Sequence, residues 1–247
     1  MVRAPYSFLA DTIRVVAVDK DKKLLEQYQR FFDICCLFQF HTTNTAAEAE
    51  KWLRKSERMH VCLSGLGVTD IDKDEFYLLK TYGRNTSFIV VSDTTDPRIG
   101  YTAGTYGAKG FLRYPEDINL HAVLCTVLQA FIYNIVNPDS AQDRPFIRRA
   151  TVALVRKGPR NVTDWAHELQ VSESYFRRAW KDAMGFRLKH VLFLHSLYSD
   201  ALTYYELVCR TDSGNTTQIL ARPQYSRQYE YYVENRDALD AILAQKR

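Results

Sequence analysis

Ile13-Arg14-Val15-Val16-Ala17-Val18-Asp19 is a short apolar run, rich in β-branched residues, that stops at an acid. Such a run reads as a buried strand. A helical pattern follows at once, with Leu24, Leu25, Tyr28, Phe31 and Phe32 on one face. The alternation then repeats. Cys35 to Phe40 reads as a second strand, and Thr43-Asn44-Thr45 supplies an N-cap for a helix over Ala46 to Leu53. Val61 to Leu63 is a third strand, Phe76 to Tyr82 a helix, and Phe88 to Val91 a fourth strand ended by Ser92-Asp93. Ile99 to Tyr106 is a helix, Gly110-Phe111-Leu112 opens a fifth strand, and an amphipathic helix runs from Asp117 to Ile135. Parallel strands need helical crossovers. These units therefore predict an α/β doubly wound, five-stranded parallel sheet covered on both faces. In such sheets the functional crevice lies beyond the carboxyl ends of the strands, which singles out Asp19, Ser64, Ser92 and Tyr114.

The stretch from Asn137 to Pro145 is polar, bracketed by prolines and without apolar periodicity, so it reads as a linker. Beyond it the strands stop. Helices are expected over residues 145–157, 162–169, 172–184, 187–208 and 225–245, the last interrupted or bent near Asn235. The expected organisation is a sheet domain over 1–136, a linker over 137–145 and an all-α domain over 146–247. Charge divides along the same line. Residues 1–138 hold 16 basic and 16 acidic groups, whereas 139–247 hold 17 against 13. Between Arg144 and Lys189 the balance is 11 against 4. A basic stretch of this kind points to a polyanion partner, or to an ordinary solvated basic face.

With 46% hydrophobic and 25% charged residues, packed cores are expected rather than disorder. The longest apolar runs are too short to span a membrane, and the first residues lack a signal-peptide pattern, so a cytoplasmic protein is expected. Cys35, Cys36, Cys62, Cys125 and Cys209 form no C-x-x-C pair, which fits reduced thiols better than disulfides or zinc. Cys35 and Cys36 read as core residues at a strand start, with oxidant sensing as the alternative. No clustered His/Cys/carboxylate set and no phosphate loop is present. No enzyme activity, metal or cofactor is therefore expected.

Three local patterns make the first half resemble the receiver domain of bacterial response regulators. They are Val15-Val16-Ala17-Val18-Asp19, Gly107-Ala108-Lys109-Gly110-Phe111 leading into the fifth strand, and Pro115. A Rossmann-like domain is the rival fold, but no Gly-x-Gly-x-x-Gly follows the first strand. The resemblance implies a phosphorylation site built from an aspartate at the end of the third strand, an acidic cluster for Mg²⁺, a hydroxyl and a lysine. Here the acceptor position reads Ser64, the lysine position reads Tyr114, and Asp19 is followed by Lys20. A neutral serine without a base is a poor phosphoryl acceptor, and without the lysine the counter-charge is missing. Lys20 stands where Mg²⁺ would sit and can pair with Asp19; Asp21 is a second carboxylate or a helix start. Only Ser92 keeps the hydroxyl. A degenerate phosphorylation site comprising Asp19, Lys20, Ser64, Ser92 and Tyr114 is expected, with Ser64 and Ser92 as a residual small-anion site as the alternative.

The run from Asn161 to Gly185 resembles the first helix-turn-helix of AraC-type regulators. Trp165, Ala166 and Leu169 give one helix an apolar face, Ser172 is an N-cap, and Phe176 and Trp180 lie on one side of the next helix. By position the resemblance implies that Ser174, Arg177 and Arg178 read bases, while Lys181, Arg187 and Lys189 contact phosphates. A second unit is expected within Thr216 to Asn235. It is eroded: Pro223 intrudes, the turn is short, and residues 190–247 carry 6 basic against 7 acidic groups. Together these readings predict a DNA-binding transcription regulator, independent of aspartyl phosphorylation, that binds double-stranded DNA as a homodimer and answers to a partner protein or ligand. The alternative is an adaptor that holds other proteins through the sheet domain and the tyrosine-rich tail.

Overall fold

The computed structural model describes residues 5–55, 57–68, 74–136, 145–210 and 223–244. Five strands alternate with helices: β1 (Ile13–Val18), α1 (Lys22–Asp33), β2 (Phe38–Thr43), α2 (Ala46–Leu53), β3 (Val61–Gly65), α3 (Tyr77–Tyr82), β4 (Ser87–Ser92), α4 (Pro97–Thr105), β5 (Gly110–Arg113) and α5 (Leu120–Val136). All pairings are parallel and the order is β2-β1-β3-β4-β5. The doubly wound, five-stranded parallel sheet is the one the sequence predicts, and its order is flavodoxin-like.

Helix starts follow local chemistry. The Asp21 carboxylate accepts from the Lys23 and Leu24 N–H groups at the head of α1, Thr45 Oγ1 accepts from Glu48 N–H at α2, and Asp96 caps α4 just before Pro97. Val16, Val18, Cys62, Phe88 and Val90 form one core with Ala46, Ala49, Leu78 and Leu79. By strand alternation Val15, Ala17, Leu63 and Ile89 are buried on the opposite face. The second strand begins later than expected. Cys35 is buried in the turn that precedes it, and β2 continues through the polar His41-Thr42-Thr43 because it lies at the sheet edge.

The chain divides into two compact units, Met1–Asn134 and Ile135–Arg247. The second contains α6 (Pro145–Lys157), α7 (Val162–Glu168), α8 (Glu173–Met184), α9 (Leu188–Arg210), α10 (Pro223–Glu234) and α11 (Arg236–Leu243). Trp165, fully buried, is its hub. Its ring meets Phe176 edge-on at 4.9 Å and Trp180 at 5.3 Å, and its Nε1–H donates to the Ala150 carbonyl at 3.0 Å. The turn after α7 closes with Gln170 N–H on His167 O and Val171 N–H on Ala166 O, the double bond pattern of a Schellman stop. Gln170 adopts φ 57° there, a position that glycine usually fills.

The last expected helix is two helices that meet at Asn235. Gln228 ties α10 to Asp200 of α9 at 2.6 Å, and Tyr231 packs on Phe193 at 4.4 Å. Except for Pro145, the linker read at 137–145 lies outside the described residues. So do residues 216–222 of the stretch expected to hold a second helix-turn-helix unit. No helix among the described residues is long and apolar enough to cross a membrane.

Candidate functional site

Beyond the carboxyl ends of the strands lies a cleft of about 180 Å³ lined by Asp19, Asp21, Leu24, Leu66, Val91, Ser92, Asp93 and Tyr114. The structure thus brings together three of the five residues singled out there: Asp19, Ser92 and Tyr114. Asp19 Oδ1 accepts from the Asp21 N–H at 2.8 Å, and Ser92 Oγ accepts from the Thr94 N–H at 3.1 Å. Burial, and then the charges of Asp21 and Asp93, hold the Asp19 carboxyl above its ordinary value against the backbone N–H groups that lower it. Tyr28, one turn beyond Leu24, is also buried, and its hydroxyl has no hydrogen-bond partner among the described residues. Burial raises its pKa, with added pressure from Asp19 and Tyr114.

Two expectations are corrected. Ser64 is not the side chain beside Asp19. It pairs in register with Val18 and sits on the face of Cys62 and Val90, whereas the next residue, Gly65, faces the acid. A Cβ built on Gly65 would lie 2.1 Å from Asp19 Oδ2 and 2.7 Å from its Cγ. The Asp19 carboxylate fills the space that a side chain at position 65 would need. Lys20, secondly, does not pair with Asp19: it is exposed and forms no ion pair among the described residues. Sequence reasoning missed Gly65, because a glycine carries no side-chain signal, and missed Asp93 as a lining acid.

The donor set does not fit the Mg²⁺–phosphoryl site that the receiver resemblance implies. Lys20 and Gly65 stand where carboxylates are called for, and the Asp21 carboxylate is engaged by two backbone N–H groups at the head of α1.

A stability prediction follows from Asp19. A carboxyl held above its unfolded value keeps a proton in the fold that the unfolded chain has released. Its contribution is fully present below about pH 4 and is lost as pH rises through the folded value. Asp19→Asn keeps the acceptor for the Asp21 N–H and removes the desolvated charge. A gain of about 0.5–1 kcal/mol at pH 7 is expected, limited by solvent screening at the cleft mouth. The gain should fade towards pH 4. Urea denaturation at pH 4 and pH 7 measures it, and an equal or lower midpoint for the variant at pH 7 contradicts it.

In the helical unit, Ser172 Oγ accepts from the Tyr175 N–H and starts α8. Phe176, Trp180 and Met184 are buried, while Ser174, Arg177, Arg178 and Lys181 are exposed together on the outward side. Arg178 has no partner among the described residues. Arg177 does: its Nε and Nη2 lie 2.7 and 2.6 Å from Glu173 Oε1. The second Glu173 oxygen accepts from Thr163 Oγ1 of α7 at 2.7 Å. The Thr163 hydrogen bond, and then Arg177, hold the Glu173 carboxyl below its ordinary value. Arg187 is exposed as expected. Lys189 sits with its Nζ 4.8 Å from the Tyr231 ring centre, a cation–π contact rather than a free phosphate-binding arm.

No protein-family model matches this chain, and no curated protein matches it. Solved structures do. The chain is similar to a response regulator receiver domain protein from Clostridium thermocellum at 13% identity, over 48% of this chain and 94% of that one, with a TM-score of 0.43. It is similar to the signal receiver domain of an HD domain-containing protein from Pseudomonas fluorescens Pf-5 at 18% identity, over 49% and 96%, with a TM-score of 0.43. It is also similar to RcsB from Salmonella enterica serovar Typhimurium, solved bound to promoter rprA, at 16% identity over 70% and 90%, with a TM-score of 0.40. None of them assigns the chain to a family. The fold stands on the strand order and crossovers already described.

Proposed function

We propose that this chain is a sequence-specific, DNA-binding transcription regulator of the response-regulator type, with an AraC-like reading helix and a sheet domain that works without aspartyl phosphorylation. One observation carries the proposal: α8 locks Phe176, Trp180 and Met184 inward and presents Ser174, Arg177, Arg178 and Lys181 outward. A helix with that face fits a major groove, where arginine can bond guanine O6 and N7 at once and lysine can neutralise phosphates. The excess of 11 basic over 4 acidic groups between Arg144 and Lys189 supports the same polyanion. Gly65 and Tyr114, in place of an acceptor and a lysine, support control by abundance, a partner protein or a ligand in the cleft. A single reading helix gives limited affinity, so the chain is proposed to act in the cytoplasm as a homodimer on two half-sites.

A second reading is favoured by α10, where Tyr229 and Val233, 42% and 53% exposed, are i, i+4 neighbours with Glu230 and Glu234 along one flank. An apolar stripe edged by acids suits a protein partner better than DNA, which supports an adaptor role for the tail.

Sequencing duplexes selected in vitro tests the leading reading. Wild type should bind one sequence with an affinity that falls steeply with salt. Arg177→Ala combined with Arg178→Ala should lose at least about 30-fold of that affinity, from two base contacts of roughly 1–3 kcal/mol each. Absence of salt-sensitive duplex binding sinks the proposal and leaves the adaptor.

A further inference from the structure

We infer that Glu173 is a positioning residue that sets base preference by aiming the Arg177 guanidinium at a guanine edge of duplex DNA. This inference rests on the DNA-binding reading above.

Arginine has five N–H donors in a planar fork. Glu173 Oε1 accepts the Nε–H at 2.7 Å and forms an ion pair with Nη2 at 2.6 Å, along one side of the fork. Both Nη1 donors and the second Nη2 donor remain, and they form the far end of the fork. That end is the one that can meet guanine O6 and N7. Glu173 therefore does not occupy the reading edge. It grips the opposite one and limits the swing of a long, flexible side chain, so less freedom is lost when the base contact forms.

The grip is itself anchored. Thr163 Oγ1 donates to Glu173 Oε2 at 2.7 Å, so the chain Thr163–Glu173–Arg177 runs from α7 to the outward face of α8. Ser172 already caps α8, so capping does not require Glu173. An acid on a face that approaches phosphates weakens binding to any duplex. Glu173 thus acts on affinity and on discrimination in opposite directions. A merely structural residue would move both the same way.

The full-length chain, the duplex selected by wild type and a random duplex of equal length provide the test. Glu173→Ala is expected to bind the random duplex about 3-fold more tightly, with a steeper salt dependence, as one negative charge leaves the interface. Its discrimination against replacement of the guanine that Arg177 reads should fall about 10-fold. Glu173→Gln keeps acceptor capacity and should restore most of the discrimination. Thr163→Val should lose part of it without changing random-duplex affinity. If Glu173→Ala weakens both duplexes in proportion, or leaves discrimination unchanged while wild type binds specifically, the inference is overturned and the DNA reading stands. If wild type shows no salt-sensitive binding, both fall.

Discussion

Trp165→Ala is expected to remove about 3–5 kcal/mol from the helical unit, a large share of the stability of a domain this size. The residue has no exposed surface and bridges three helices, through edge contacts to Phe176 and Trp180 and a hydrogen bond to Ala150 O of α6. Truncation opens a cavity and removes the indole hydrogen bond to that carbonyl. A comparison of two milder variants separates these causes. Trp165→Phe loses the bond to Ala150, whereas the Trp180 Nε1–H has no partner among the described residues, so Trp180→Phe forfeits none. Thermal melts should therefore place Trp165→Phe below Trp180→Phe by about 1 kcal/mol or more. The reverse order would mean that the Ala150 bond does not form.

Gly65→Asp carries the second large effect. It supplies the carboxylate that a phosphorylatable receiver needs, yet its Cβ would overlap the Asp19 carboxylate. Overpacking and two adjacent negative charges together should cost about 3 kcal/mol at pH 7, or roughly 10 °C in melting temperature. Both acids would have raised values in the fold, so the penalty is incurred as pH rises through those values and should shrink below about pH 4. Adding Asp19→Ala to Gly65→Asp should recover most of the loss, a coupling that a double-mutant cycle reads directly. Near-additive costs would show that Asp19 does not fill that space. With acetyl phosphate and Mg²⁺, the wild-type intact mass should stay unchanged.

How legible the molecule is in its sequence depends on the kind of interaction. β1 and α6 fall on the residues expected for them, because an apolar run closed by an acid and a proline-started amphipathic helix are local signals. The end of β3 is not. The apolar stretch there runs on into small residues, and a shift of one residue moves every side chain to the other face, so apolar patterning alone does not separate Ser64 from Gly65. The direction of Lys20 was open for the same reason: adjacency in sequence does not put two side chains on one side of a strand end. Glu173–Arg177 is an i, i+4 pair and was open to reading from spacing alone. Its anchor on Thr163, ten residues away, was not. Nor was the contact of Lys189 with Tyr231, which exists only because α10 folds back on α9.

The three tryptophans of the chain divide unevenly between the two units, and this gives the protein a built-in optical label. Trp52 belongs to the sheet unit, where His41 stacks on it at 3.7 Å and Lys55 caps it at 3.2 Å. Trp165 and Trp180 lie at the centre of the helical unit. Tryptophan emission, selectively excited at wavelengths that tyrosine does not absorb, would come from Trp52 alone in a chain carrying Trp165→Phe and Trp180→Phe, and only from the helical core in Trp52→Phe. The melting of each unit can thus be followed separately in the intact chain, without an added dye.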